Sequence, residues 1–266
     1  MNNNVFEDFL QNLAIPPSCA LNKPVYKKLF LDASDGKKSL LDATDKACLK
    51  DDINKIRWLY TLKPATINIA PYSDNERDYP EVAVLHFELS NSSRVKRIAH
   101  FVNRAIPYPL ILLFTCDMDS QPHLALSVAD KRINQADQEK WVIEGSLITH
   151  WIKLNTPSDT DHAFLQSLTI NNLSFKNFFD FYKSVTERVI AMNCASHSGA
   201  FSLEEIPAHG GGKSRLEKLR ALEKLELKKS ELSNKLKKEK QMGKQVELNT
   251  QVKKINDEIG QIKAGL

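Results

Sequence analysis

Glycine is scarce in this chain: 9 of 266 residues, with only Gly36 and Gly145 before residue 199. Glycine-rich phosphate loops and dinucleotide turns need several close glycines where the backbone approaches a ligand, so the first 198 residues argue against both. Cysteine is sparse too. Cys19, Cys48, Cys116 and Cys194 lie far apart, with no CxxC or CxxH spacing for structural zinc. A chain this long does not need disulfides, and each cysteine reads as a small core residue. The longest apolar run, Pro109 to Cys116, is about eight residues, against the ~20 that a membrane helix needs. The start, MNNNVFEDFLQNL, lacks a basic n-region and carries Glu7 and Asp8, unlike a secretory signal. GxSxG and HExxH patterns are missing as well. These absences point to a soluble cytoplasmic protein without a resident metal or cofactor.

The apolar fraction of 42% is enough for a packed core. Charge is unevenly spread. Residues 213–266 carry 15 Lys and Arg against 8 Asp and Glu, a net of +7; the whole chain is +4, which leaves −3 for residues 1–212. The glycine cluster Gly210-Gly211-Gly212, shortly after Pro207, reads as a flexible linker between two unlike parts. With Lys213 and Ser214 it imitates the end of a P-loop, but Pro207 stands where the pattern requires glycine, and no buried strand precedes it. Ser214 reads instead as a helix N-cap, with Glu217 completing a capping box.

Apolar spacing predicts a helix over Val5–Leu13, a short helix from Pro24 to Leu31, and a longer one over Asp45–Leu62 with Leu49, Ile53, Ile56 and Leu59 in one stripe. Thr66–Ile69 is expected to be a short strand and 71–80 a polar loop. Val82–Leu89 and Leu110–Cys116 are almost continuously apolar, as strands buried on both faces are, and the segment between them, Arg94–Ala105, has helical spacing. This predicts a parallel pair with a crossover helix. His123–Ala129 follows closely enough to be an antiparallel neighbour, and Trp141–Leu154 offers one or two more strands. Ser174–Met192 is a strong amphipathic helix with an aromatic stripe and Ser174 as N-cap.

In the tail, Leu248, Val252, Ile255, Ile259, Ile262 and Leu266 form a heptad seam, matched by Leu222, Leu225, Leu232 and Leu236. The register breaks over 237–244. Two helices folded back near Gly243 are the preferred reading, and one long helix in a parallel dimer the alternative. The expectation is therefore an α+β fold: a mixed β-sheet covered by helices over 1–200, compatible with a restriction-endonuclease-like topology, a linker over 201–213, and a basic α-helical coiled-coil hairpin over 214–266.

Two sets of residues carry candidate chemistry. Lys228, Lys229, Lys235, Lys237, Lys238, Lys240 and Lys244 crowd the middle of the tail, suited to sequence-independent phosphate contact or to a protein partner. Few aromatics accompany them, so single-strand stacking is not indicated. The second set surrounds Glu88, near the end of the first buried strand. Nucleases of the restriction-endonuclease-like fold place E-x-K there, with a further acid before it, to hold Mg2+ and support the attacking water. Here Ser90 occupies the Lys position. Asp74 or Asp78 would have to supply the further acid, Lys96 the missing charge, and His86, two residues from Glu88, a second ligand.

The stretches IPPSCALNKPVYKKLF, INKIRWLYTLKPATINIAP, VLHFEL, RAIPYPLILLF and LKKEKQMGKQVELN, from Ile15 to Asn249, resemble a bacterial domain-of-unknown-function family encoded beside methyltransferase and helicase genes of restriction-like phage-defence systems. The resemblance implies a DNA-modification context and no established activity; family members carry a Lys soon after the strand Glu, where this chain has Ser90. The first functional expectation is a non-enzymatic accessory subunit that docks a helicase or methyltransferase partner, or DNA, through the tail. The alternatives are a metal-dependent nuclease centred on Glu88 and a coiled coil that assembles with copies of itself.

Overall fold

The computed structural model describes residues 3–35, 38–134, 137–203 and 214–266. The chain divides into two compact units, Met1–Val189 and Ile190–Leu266. The linker read from the glycine cluster falls largely on 204–213, outside the described residues.

The first unit is built on a seven-stranded mixed sheet. Its strands are β1 (Ala20–Pro24), β2 (Ile53–Leu62), β3 (Val82–Leu89), β4 (Leu110–Met118), β5 (Gln121–Asn134), β6 (Asp137–Ile148) and β7 (Ile152–Lys153). The order is β1-β2-β3-β4-β5-β6, with β7 also pairing to β5. Only β3 and β4 are parallel; every other pair is antiparallel. The longer helices are α1 (Asn3–Asn12), α2 (Val95–Ala105), α3 (Asp159–Ser167) and α4 (Phe178–Ser198), which begins in this unit.

The continuous apolar runs of β3 and β4 are buried on both faces, as their composition predicts. On one face Leu85, Phe87, Leu112 and Phe114 pack with Phe30, Leu49 and the Ile98, Phe101 and Val102 stripe of α2. On the other, Val84, Ile111, Leu113 and Leu126 line a small apolar cavity with Phe9 and Leu13 near α1 and Phe181 and Val185 of α4. The Tyr182 hydroxyl fixes α4 to the sheet: it accepts from Ala129 N at 2.8 Å and lies 2.9 Å from Leu110 O.

Five local expectations are corrected. The helix expected from Pro24 to Leu31 is only Lys28–Leu31, with Pro24 closing β1, and the expected loop 71–80 carries the two-stranded ladder Tyr72–Ser73/Asp78–Tyr79. Asp45–Leu62 is not one helix. A short helical stretch, Ala43–Asp52, ends at the strand β2. Two register shifts in the β2–β3 ladder, between Ile53 and Lys55 and between Trp58 and Tyr60, bring Ile53, Ile56, Leu59 and Leu62 to the interior at intervals of three. Bulges thus imitate a helical period. Thr66–Ile69 is no strand: Pro64–Ile67 makes one helical turn, ended by Asn68 at φ 54°. Ser174 does not cap α4, which starts at Phe178; Asn177 Oδ1 accepts from Asp180 N at 2.8 Å.

The second unit comprises the end of α4, α5 (Arg215–Lys238) and α6 (Met242–Lys263). Ser214 caps α5 and forms the expected capping box with Glu217. Ile190 and Cys194 pack with Leu219, Leu222, Leu232, Ile255, Ile259 and Leu266. Lys218 Nζ donates to Gly265 O at 2.6 Å, and Lys263 pairs with Glu226 at 3.7 Å, so the start of α5 lies beside the end of α6. The chain leaves the helix at Glu239–Gln241, ahead of Gly243, which lies inside α6. Glu239 Oε1 accepts from the backbone N–H groups of Lys240 and Gln241 at 2.8 and 2.9 Å and so holds this turn.

Candidate functional site

The strand residues facing α1 assemble a polar cluster. Arg57 stands opposite His86 in the β2–β3 ladder, and Lys55 stands opposite Glu88. The β3–β4 ladder places Thr115 beside Glu88. Arg57 lies 3.4 Å from both Glu7 Oε1 and His86 Nδ1. A guanidinium only donates, so Nδ1 accepts and the Nε2–H of His86 donates to Thr115 Oγ1 at 2.7 Å. Phe6 stacks on the imidazole with ring centroids 4.3 Å apart. Burial, aided by the positive charges of Arg57 and Lys55, lowers the His86 pKa to about 3. His86 is therefore a neutral, closed side chain with both nitrogens engaged. Glu88, half-buried one step along the same face, has Lys55 across the ladder.

The remaining residues of the Glu88 set do not converge on it. Asp74 and Asp78 lie in and beside the small ladder Tyr72–Ser73/Asp78–Tyr79. Asp74 holds that turn, accepting from Tyr72 Oη at 2.6 Å and from the N–H groups of Glu76 and Arg77. Arg77 ties the ladder to Asp130 at 3.2 Å. The cross-strand row of Glu88 runs through Thr115 to Leu124. Asp130 is six residues further along β5, which at ~3.3 Å per residue is roughly 20 Å away. Lys96 is exposed on α2, the layer on the opposite face of the sheet. Among the described residues, no group of three His, Cys, Asp or Glu side chains is arranged to hold a metal ion.

Lys55, Arg57, Glu7 and Thr115 were not expected at this site. Apolar spacing places the first two on a helix, and the signal that points to a strand instead is the β-favouring content of INKIRWLYTL, with two Ile, Trp, Tyr and Thr.

Of the tail lysines, Lys228, Lys235, Lys237, Lys238, Lys240 and Lys244 are exposed and Lys229 is half-buried. Among the described residues none of the seven forms an ion pair. Lys235, Lys237 and Lys238 occupy the last turn of α5, Lys240 the connecting turn and Lys244 the first turn of α6. The one acid among them, Glu239, is taken up by the turn. Lys131, in β5, is the opposite case. It is 1% exposed and donates to Ile106 O and Tyr108 O, both at 2.7 Å, and burial lowers its pKa to about 7. It completes the carbonyls that follow α2, which is a structural task.

The arrangement thus defines an α+β protein with a closed polar cluster on its sheet and an open cationic tip on its last helices. Residues 13–259 match the model of DUF4391, a domain of unknown function, and the chain belongs to that family. No curated protein and no solved structure matches the chain. Among the described residues, no helix is long and apolar enough to cross a membrane.

Proposed function

We propose that the chain is a non-enzymatic accessory component of a bacterial DNA-modification or phage-defence system, and that it engages duplex DNA through the turn between α5 and α6. The carrying observation is the set of five lysines, Lys235, Lys237, Lys238, Lys240 and Lys244, exposed around one turn whose only acid is spent on the backbone. The heptad spacing on both helices supports reading them as an antiparallel coiled-coil hairpin that presents this tip. Phosphate neutralisation by five lysines makes affinity fall roughly 500-fold between 50 and 200 mM salt. In a mobility-shift titration of full-length protein, duplex DNA should shift at low salt, and Lys237→Glu/Lys238→Glu/Lys240→Glu should abolish the shift. Undiminished binding by the triple variant moves the DNA site elsewhere. No binding by the wild type leaves the tail to a helicase or methyltransferase partner, or to a second copy of itself.

A second reading, a Mg2+-dependent nuclease of restriction-endonuclease-like fold, is favoured by one specific arrangement. The unit starts α1, three antiparallel neighbours β1–β3, α2, then β4 parallel to β3, and Lys55 stands opposite Glu88 where Ser90 supplies no charge. Its test is plasmid cleavage with Mg2+ or Mn2+. Cutting that disappears in Glu88→Ala promotes this reading over the first.

A further inference from the structure

Lysines explain only part of the tip. Met242 is 80% exposed and Val246 61% exposed, the former more than any other large apolar side chain among the described residues. They are four residues apart on α6 and so share one face of the helix. Neither belongs to the apolar cluster that joins α5 to α6, whose first member on α6 is Leu248. Lys240 and Lys244 flank Met242 in sequence, and Lys235, Lys237 and Lys238 close the preceding helix. The outer end of the helix pair is thus an apolar knob among positive charges.

A purely phosphate-tracking surface gives the knob nothing to touch. The minor groove of duplex DNA offers apolar deoxyribose walls below two rows of phosphates and is about 6 Å wide, so single side chains can enter it while the helices stay outside on the phosphate rims. Apolar side chains that enter it between base steps unstack them and kink the duplex. Resting on the DNA reading above, we infer that the tip binds the minor groove, with Met242 inserted as a wedge at a base step, Val246 against the adjoining sugar wall and the lysines on the flanking phosphates. Charge complementarity selects this occupant: a second copy of the tip would set lysines against lysines. Readily unstacked pyrimidine–purine steps should be preferred, because the kink costs least there.

The test uses full-length protein and a 30-base-pair duplex labelled at both ends, read by energy transfer, with affinity measured over a salt series. Wild type should bend the duplex by roughly 20–90°. Met242→Ser should lose most of the bend and about tenfold in affinity, but keep the slope of affinity against salt, which counts phosphate contacts. Met242→Leu should restore the bend. Wild-type binding without a bend, or a full bend by Met242→Ser, overturns the wedge and leaves the phosphate contact standing. Failure of the wild type to bind duplex DNA at low salt removes the DNA reading and the wedge together. Met242 is solvent-exposed, so an unchanged helical circular dichroism signal in each variant confirms that folding is preserved.

Discussion

In the sheet unit the cationic side chains within the fold are answered. Arg57 has Glu7 and His86, Arg94 has Asp52 at 2.6 Å, Arg97 has Asp42 and Asp45, Arg188 has the carbonyls of Ser167, Ser184 and Asn172, and Lys131 has two carbonyls of its own. In the helical unit the apolar seam is satisfied internally, while the lysines at 235–244 stand in solvent. A buried charge without a partner destabilises the fold, so the pairing of the first set is explained by folding and says little about function. The second set contributes little to folding and is available to a ligand. The first set is four arginines and one lysine and the second is all lysine; what separates their roles is that the first is partnered inside the fold and the second stands in solvent.

That contrast is most sharply broken or sustained by acid. His86 titrates in the unfolded chain near 6.5, but only near 3 in its pocket beneath Phe6. Between those values the unfolded state holds the extra proton, so stability falls as pH is lowered from about 6.5. At pH 4 the contribution lost is on the order of 3 kcal/mol. His86→Gln should remove this component. Urea unfolding at pH 7 and pH 4 should show a smaller drop for the variant than for wild type, with the helical unit unaffected. Equal drops in both proteins would mean that the imidazole is solvated and the cluster open.

Lys131 tests the same contrast from the basic side. Its ordinary value is 10.5 and burial brings it to about 7, so the unfolded chain binds the proton more tightly between these limits. Stability therefore rises from pH 7 towards pH 9.5, and the cost of the buried charge is greatest below 7. Lys131→Met removes both the charge and the two hydrogen bonds to Ile106 O and Tyr108 O. At pH 9 it should cost about 1–3 kcal/mol through the unpaired carbonyls. At pH 6 the deficit should be smaller, because the wild type then carries a buried charge. The same deficit at both pH values would show that the amine keeps its proton throughout.

Where one physical signal dominated, sequence was enough. β3, α2 and β4 follow from uninterrupted apolar runs around a 3.6-period stripe, and Ser214 with Glu217 announced a helix start that the capping bonds bear out. β2 reads as a helix because its bulges shift the buried positions to every third residue, and the same pattern hides Lys55 and Arg57 from the sheet. Glu88 and His86 were legible as neighbours on one strand face. The lid over His86 was not, since the Phe6 stack joins residues eighty positions apart and leaves no local pattern. The ladder that carries Asp74 and Asp78 is tied to β5 by Arg77–Asp130 and by Ile133 N–H donating to Glu76 O, contacts that sequence spacing does not encode.

The smallest expected effect concerns the helical unit alone. Gly260 lies inside α6, in ordinary helical backbone, and a Cβ built there meets nothing within 4 Å. Alanine reduces the freedom of the unfolded chain and adds no clash, so Gly260→Ala should stabilise this helix by about 0.5–1 kcal/mol. If 190–266 is a cooperative unit of its own, calorimetry should show one transition moving up by a few degrees while the one carried by the sheet stays in place. A single transition that shifts as a whole would mean that the two units unfold together, and the charges on the tip would then belong to one cooperative fold. A loss of stability would show that the open space around Gly260 is filled, and light scattering on the variant and the wild type tests whether a second copy of the chain fills it.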